Sequence, residues 1–323
     1  MLNVYVQTSA GLAVATDPKA ALISGDFVWA DIVAPPGDTD ELRIAEALVE
    51  QALSIDVPTP NERSAMEDSA RFFEEAAAMY LTVTVMGHKG DGSFISDPVT
   101  FILKDMRLVT VRAIKPRAFE IGDGRASARV RDAKDGGQVM MALLDGVVER
   151  VADVLAENQQ NANRISGEVF GLDGNCDLKR LLMELGRCGS LAALAHGSLS
   201  SLNRLSAYAF MFCPKHGLTK DRFRALSRDV QELERQAEAM QGHLSFLMDA
   251  ALGLTGAAQN NTLRALAVAT MAFAPATLIA SIFGMNFSAL GWIHQPWGPA
   301  AAFALMFLTP AGLFWIARWR KWF

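Results

Sequence analysis

Between Arg264 and Arg318 the chain carries 53 consecutive residues, Ala265 to Ala317, without one Asp, Glu, Lys or Arg. A helix crosses the hydrocarbon of a bilayer with ~20 apolar residues. Two such runs fit here, from about Ala265 to Phe283 and from about Trp297 to Ala317. Asn286 to Pro296, with its Gly, Asn and Pro residues, reads as the turn between them. This pattern predicts a helical hairpin in the membrane. The alternative, a buried hairpin in a soluble protein, is disfavoured because soluble helices of this length normally carry a charged outer face. Arg318, Arg320 and Lys321 follow the second run and Arg264 precedes the first, while the turn has no Lys or Arg. Basic residues gather on the cytoplasmic side, so both chain ends are expected there, as in a protein of a cell inner membrane. Trp292, Trp297, Trp315, Trp319 and Trp322 fall where helix ends meet headgroups.

Of the 30 Lys and Arg, four lie from Arg264 onward, leaving 26 against 35 Asp and Glu in the part before it. An acidic body argues against nucleic acid as partner and suits a cation. The length of 323 residues accommodates two or three units. We read residues 1–134 as a mixed α/β domain, 135–262 as a helical stalk and 263–323 as the transmembrane hairpin with a basic tail. Cys176, Cys188 and Cys213 are widely spaced, which indicates neither a disulfide framework nor a zinc ribbon. No basic stretch opens the chain, so a cleaved signal peptide is not expected.

Short β-branched and aromatic runs, Asn3–Val6, Phe27–Ala30, Tyr80–Met86, Val99–Leu103 and Leu108–Arg112, predict strands. Asp38 to Leu53 has helical spacing, with Asp38 or Thr39 as N-cap, and His88 to Ser93 reads as a hairpin turn. From Pro116 strand signals vanish. Helices are predicted over Val139–Phe170 and Leu178–Phe210, and a third begins near Thr219 or Lys220. In that third helix Phe223, Leu226, Val230, Leu233, Ala237, Met240, Leu244, Leu247, Ala251 and Leu254 recur at steps of three and four. This seam needs a facing helix from the same chain or from a neighbour. No Pro interrupts before Pro275, so the helix is expected to continue into the first span, roughly 95 Å at ~1.5 Å per residue.

Gly284-Met285-Asn286, directly after a first span ending in Phe273 to Phe283 and before a last span and a basic C-terminus, resembles the CorA family of divalent-cation channels and transporters. Trp29-Ala30-Asp31 with Pro35, Met66 to Arg71 leading into Tyr80–Val83, and Leu108–Val111 are similar to the family's cytoplasmic domain. The resemblance implies a homopentameric funnel whose central pore is lined by the first membrane helix. It makes Gly284, Met285 and Asn286 the selectivity filter, with the Asn286 ring binding a hydrated divalent ion. It places Asn260, Leu266, Thr270, Ala274, Thr277 and Ser281 along the pore, Leu266 at an apolar constriction and Asp249 as a polar, metal-facing position. Asp229, with Glu232 and Glu238, is a candidate for a regulatory metal site between subunits. No prosthetic group is implied; Mg2+, or Zn2+ or Co2+, enters as transported and regulatory ion.

The residues themselves support part of this. Mg2+ releases water reluctantly and prefers oxygen ligands, and neutral carbonyls hold its water shell without trapping it. Thr270, Thr277 and Ser281 share one helix face, either as pore lining or bonded back to their own helix. Asp249 and Asn260 also project together. The turn departs from magnesium-transporting relatives in offering no acidic residue, only His294, so Zn2+ uptake, with or without proton coupling, stays open beside Mg2+ with Co2+ or Ni2+. A membrane-anchored sensor or scaffold is the reading from another class. Asp173 to Asp177 with Glu184 imitates an EF-hand but has Leu178 where Gly is needed. His88, His196, His216 and His243 are isolated. Nucleotide-binding and nucleophile-elbow motifs are absent, so the chain is not read as an enzyme.

Overall fold

The structure is a computed structural model and describes residues 1–34, 40–59, 62–63, 71–88, 93–119, 125–171, 178–212, 218–285 and 295–320. Its N-terminal sheet has seven strands: β1 (Leu2–Thr8), β2 (Gly11–Val14), β3 (Trp29–Val33), β4 (Phe72–Glu75), β5 (Ala78–His88), β6 (Phe94–Lys104) and β7 (Arg107–Arg112). They lie in the order β2-β1-β3-β7-β6-β5-β4. Only β3 and β7 pair in parallel, with Ala30 opposite Val109 and Ile32 opposite Val111. Helices α1 (Pro18–Ser24) and α2 (Asp40–Leu53) cover one face, burying Leu22, Leu42 and Val49 against Val4, Ile32, Ile102 and Val111. Helices α4 (Gly136–Phe170) and α5 (Leu178–Phe212) cover the other. Because both faces are covered, the inner strands read as nearly unbroken apolar runs rather than alternating ones.

Between β3 and β7 the sheet encloses one ion pair. Asp31 is fully buried and accepts from Arg112 Nε at 3.0 Å, Arg112 Nη2 at 2.8 Å and Thr110 Oγ1 at 2.8 Å. Trp29 Nε1 donates to Thr110 Oγ1 at 2.9 Å, and Arg112 Nη1 donates to the Ile114 carbonyl at 2.7 Å. A charge is tolerable in such a place only when an opposite charge and further hydrogen bonds replace the water it has lost. Tyr5 stacks on Trp29 with centroids 4.3 Å apart, and burial, with the Asp31 charge nearby, pushes its hydroxyl up to about 12.

Asp105 and Met106 form the tight β6–β7 turn with φ of 49° and 63°. The Met106 carbonyl accepts from Gly136 N at 2.6 Å, and a Cβ on Gly136 would lie 2.4 Å from Leu108 N. Only glycine lets α4 start this close to the strand. Asp135 caps that start by accepting from Gln138 N at 2.8 Å, so α4 begins three residues before the expected Val139. α5 runs on to Phe212, two residues past the expected end. The proposed caps Asp38 and Thr39, residues 89–92 of the hairpin turn, Cys176, Cys213, His216 and residues 173–177 of the EF-hand-like segment lie outside the described residues, while its Glu184 lies on α5 and pairs with Arg164 and Arg180.

Helix α3 (Arg125–Arg131) precedes α4, and α6 (Lys220–Gly284) runs for 65 residues. The chain divides into two compact units, Met1–Met248 and Asp249–Phe323, with the boundary inside α6. In the first unit the α6 seam packs on the chain's own helices. Phe223, Leu226, Val230, Ala237, Met240, Leu244 and Leu247 are buried, and Leu233 is half-buried. Asn158 Nδ2 on α4 donates to Met240 Sδ at 3.1 Å, and Asn203 Nδ2 on α5 donates to Glu234 Oε2 at 3.1 Å. The facing helices that the heptad pattern demanded are therefore α4 and α5.

Candidate functional site

In the second unit the character of α6 inverts. Helix α7 (Gly298–Trp319) follows the turn, and it and α6 are the two helices among the described residues that are long and apolar enough to cross a membrane. Their apolar side chains point outward: Leu266 is 63% exposed and Phe307 77%. On α7 the buried positions are Gly298, Ala302 and Ala317. At ~1.5 Å per residue, 22 residues span ~33 Å, slightly more than the hydrocarbon thickness.

Asp249, Asn260, Leu266, Thr270, Ala274, Thr277, Ser281 and Gly284 all lie on α6, and each is exposed. From Asp249, steps of four and three pass through Gly253, Gly256, Asn260, Leu263, Ala267, Thr270, Ala274, Thr277 and Ser281 to Gly284. Every residue on this line except Leu263 is small or polar. Sequence reading picked out the line's polar members and overlooked Gly253, Gly256, Leu263 and Ala267; the same count of threes and fours that revealed the hydrophobic seam finds them. Leu266 stands beside the line. At ~100° per residue, Asp249, Gly253 and Gly256 stand ~140° to ~200° round the helix from Ala251. Ala251 is buried, so these first members of the line stand away from it, and at the same pitch the line drifts ~20° per seven residues on its way to Gly284.

Each hydroxyl on the line donates to the carbonyl four residues back: Thr270 to Leu266 at 2.9 Å, Thr277 to Phe273 at 2.8 Å and Ser281 to Thr277 at 2.8 Å. Thr255 and Thr262, off the line, bond to Ala251 and Ala258 in the same way. Such a bond is the habit of a hydroxyl in an apolar helix, not a mark of this face. Pro275 lies within α6 and supplies no N–H to the ladder. The helix ends at Gly284, and Met285 N donates to the Ile282 carbonyl at 3.3 Å, with the Met285 side chain exposed. Asn286 and His294 lie outside the described residues.

Asp229 sits apart from this line, in the first unit. With Arg129 of α3, Asp145 and Glu149 of α4 and Arg222 of α6 it lines a cavity of about 300 Å³. Among the described residues, no group of three or more His, Cys, Asp and Glu is placed to hold a metal ion. The five charged groups around this cavity are scattered over a hundred residues, and no spacing rule connects them.

A sequence model of the family described as CorA-like Mg2+ transporter protein matches residues 24–318. The chain is 25% identical over 292 residues to a magnesium transport protein CorA of Wolinella succinogenes, covering 88% of each. It is also 25% identical over 288 residues to the protein of that description in Salmonella typhimurium, covering 89% of each. Its fold resembles the complete structure of the CorA magnesium transporter from Methanocaldococcus jannaschii with a TM-score of 0.70, at 17% identity over 98% of this chain and 97% of that one.

Proposed function

The chain belongs to the CorA-like Mg2+ transporter family, and from that membership we propose that it forms a homopentameric channel for hydrated Mg2+ in a cell inner membrane, both termini cytoplasmic. In this reading residues 1–134 and 135–262 form the cytoplasmic funnel and 263–323 the membrane hairpin. One hairpin encloses no aqueous path, so several copies must share one. The line from Asp249 to Gly284 faces that path, and the exposed apolar remainder of α6 and α7 meets lipid and neighbouring copies.

The observation that carries the reading is the polar line on an otherwise uncharged, outward-facing helix. A hydroxyl whose proton is held by its own backbone presents only lone pairs outward. Thr270, Thr277 and Ser281 then accept hydrogens from water around a cation and offer none to an anion. Asn286 and the Gly284 backbone select at the entrance, and Leu266 with Asp249 gates. The membrane potential contributes ~2.3 kcal/mol per charge per 100 mV, ~4.6 for a divalent ion, enough to drive uptake without a nucleotide. In liposomes, Asn286→Ala is expected to abolish Mg2+ influx; undiminished influx removes the ring from the account. The neutral turn with His294 favours a second reading, Zn2+ uptake, and the hydrated-ion path admits Co2+ and Ni2+. Competition of each ion against Mg2+ in the same assay decides among them.

A further inference from the structure

Arg264, Arg318, Arg320 and Lys321 are the four Lys and Arg of the second unit, and Asp249 is its one Asp or Glu. Asp249 lies 15 residues before Arg264, ~22 Å away along α6. Arg264 lies 20 residues before Gly284, where α6 ends, and Arg320 lies 22 residues after Gly298, where α7 starts. At ~1.5 Å per residue these lengths are ~30 and ~33 Å, so both side chains reach one level at the far edge of a ~30 Å hydrocarbon layer. Exposed Trp315 and Trp319 flank that level, where indole rings meet headgroups.

The two arginines also share a side of the hairpin. Within the second unit the sheltered sides of α6 and α7 cover each other. On α7 that side carries Gly298, Ala302 and Ala317, and Arg320 follows Ala302 by 18 residues, which is five turns. On α6 it carries half-buried Val268, Met271, Pro275 and Ile279, and Arg264 stands one turn before Val268. Arg264 and Arg320 therefore converge on the mouth between the two helices, and both are exposed there. Arg318 stands ~160° round α7 from Arg320. Two guanidinium groups brought together without an acid repel each other, and an anion between them turns that repulsion into attraction.

We propose that Arg264 and Arg320 form a cleft that holds the phosphate of an anionic phospholipid of the inner leaflet. The inference rests on the reading of the hairpin as membrane-spanning with both chain ends cytoplasmic. A guanidinium fork takes two oxygens at once, and a phosphodiester has two unbridged oxygens to share between two forks. A zwitterionic headgroup would bring its own ammonium beside two cations, whereas a glycerol headgroup brings no positive charge. Basic pockets between membrane helices on the cytoplasmic side recognise anionic headgroups in this way. The bound lipid ties the start of the first span to the end of the second, at the edge of the stretch where α6 finds little cover from its own chain.

Native mass spectrometry of the full-length protein in nonionic detergent, titrated with dioleoyl phosphatidylglycerol or dioleoyl phosphatidylcholine, tests the cleft. The wild type is expected to hold phosphatidylglycerol more tightly. Arg264→Gln and Arg320→Gln should each weaken it roughly fivefold, the weight of one basic residue beside an anionic surface. The double variant should bind both lipids alike, and Arg264→Lys, which keeps the charge but loses the fork, should fall between wild type and Arg264→Gln. Arg318→Gln should change retention less than twofold. All four positions of change are exposed, and unaltered melting in phosphatidylcholine checks that each variant is folded. Equal retention of the two lipids by the wild type overturns the cleft. Equal losses at Arg264, Arg318 and Arg320 overturn it in favour of a diffuse basic surface, and displacement of the lipid by an equal concentration of inorganic phosphate overturns it in favour of a free anion. Retention is read without transport, so absent Mg2+ influx leaves the cleft standing and equal retention leaves the channel standing.

Discussion

The two units of this chain treat the same side chains in opposite ways. Trp29 is fully buried and Trp315 is 70% exposed; Phe101 is fully buried and Phe307 is 77% exposed. In Met1–Met248 the apolar groups find partners within the chain: strand against helix, and the α6 seam against α4 and α5. In Asp249–Phe323 they point away from the chain, and from Ala265 to Ala317 no charge accompanies them. The first unit is organised by water and the second by the absence of it. Helix α6 belongs to both, and its heptad seam gives way near Ala251 to an outward apolar surface crossed by one polar line. A helix that packs its seam within its own chain and, past Ala251, carries a line of small and polar groups suits the proposed assembly in lipid.

The largest expected effect is all-or-none. A fragment ending at Met248 should remain in solution without detergent, whereas the full chain should precipitate; a fragment that also needs detergent breaks the contrast. Next comes a pair of matched substitutions read by thermal or denaturant unfolding of the N-terminal unit. Phe101→Ala removes a ring from a closed core and is expected to cost ~3 to 5 kcal/mol. Phe307→Ala should change that unfolding by less than ~0.5 kcal/mol, as surface changes do. Equal losses at the two positions would mean that the second unit helps to hold the first.

The contrast between the units was largely legible in the sequence, because it rests on long-period signals. A 53-residue gap in charge and a long heptad seam survive any local ambiguity, although the expected tenth member of the seam, Leu254, is exposed. The central strands β5, β6 and β7 were legible from their β-branched runs, with ends displaced by a few residues. The edge strands β2 and β4 were missed. Gly11–Val14 is too short to show a period, and Phe72-Phe73-Glu74-Glu75 pairs like residues where alternation is the usual signal. Helix α1 was missed although Asp17 before Pro18 is a sound start signal; Asp17 accepts from Lys19 N at 3.0 Å and from Ala20 N at 3.2 Å. The start of α4 depended on a close approach of Gly136 to β7, which is a tertiary fact. The polar members of the α6 line were legible as a shared face; Gly253, Gly256 and Ala267 were overlooked because small residues give no signal of their own until the spacing is counted through them. The ion pairs of Asp145 with Arg129 and Arg222 were not legible at all, since these residues meet only when three helices have packed.

Cysteine accessibility in the membrane tests the central claim most directly. In a background with Cys176, Cys188 and Cys213 replaced, single cysteines are placed from Leu263 to Gly284 and challenged in liposomes with a charged, membrane-impermeant thiol reagent supplied on both sides. The account predicts rapid labelling at positions 270, 274, 277 and 281, protection of those positions by excess Mg2+, and little reaction at 273, 278 and 282. Uniform labelling, or labelling confined to 273, 278 and 282, would contradict an aqueous path along this face of α6.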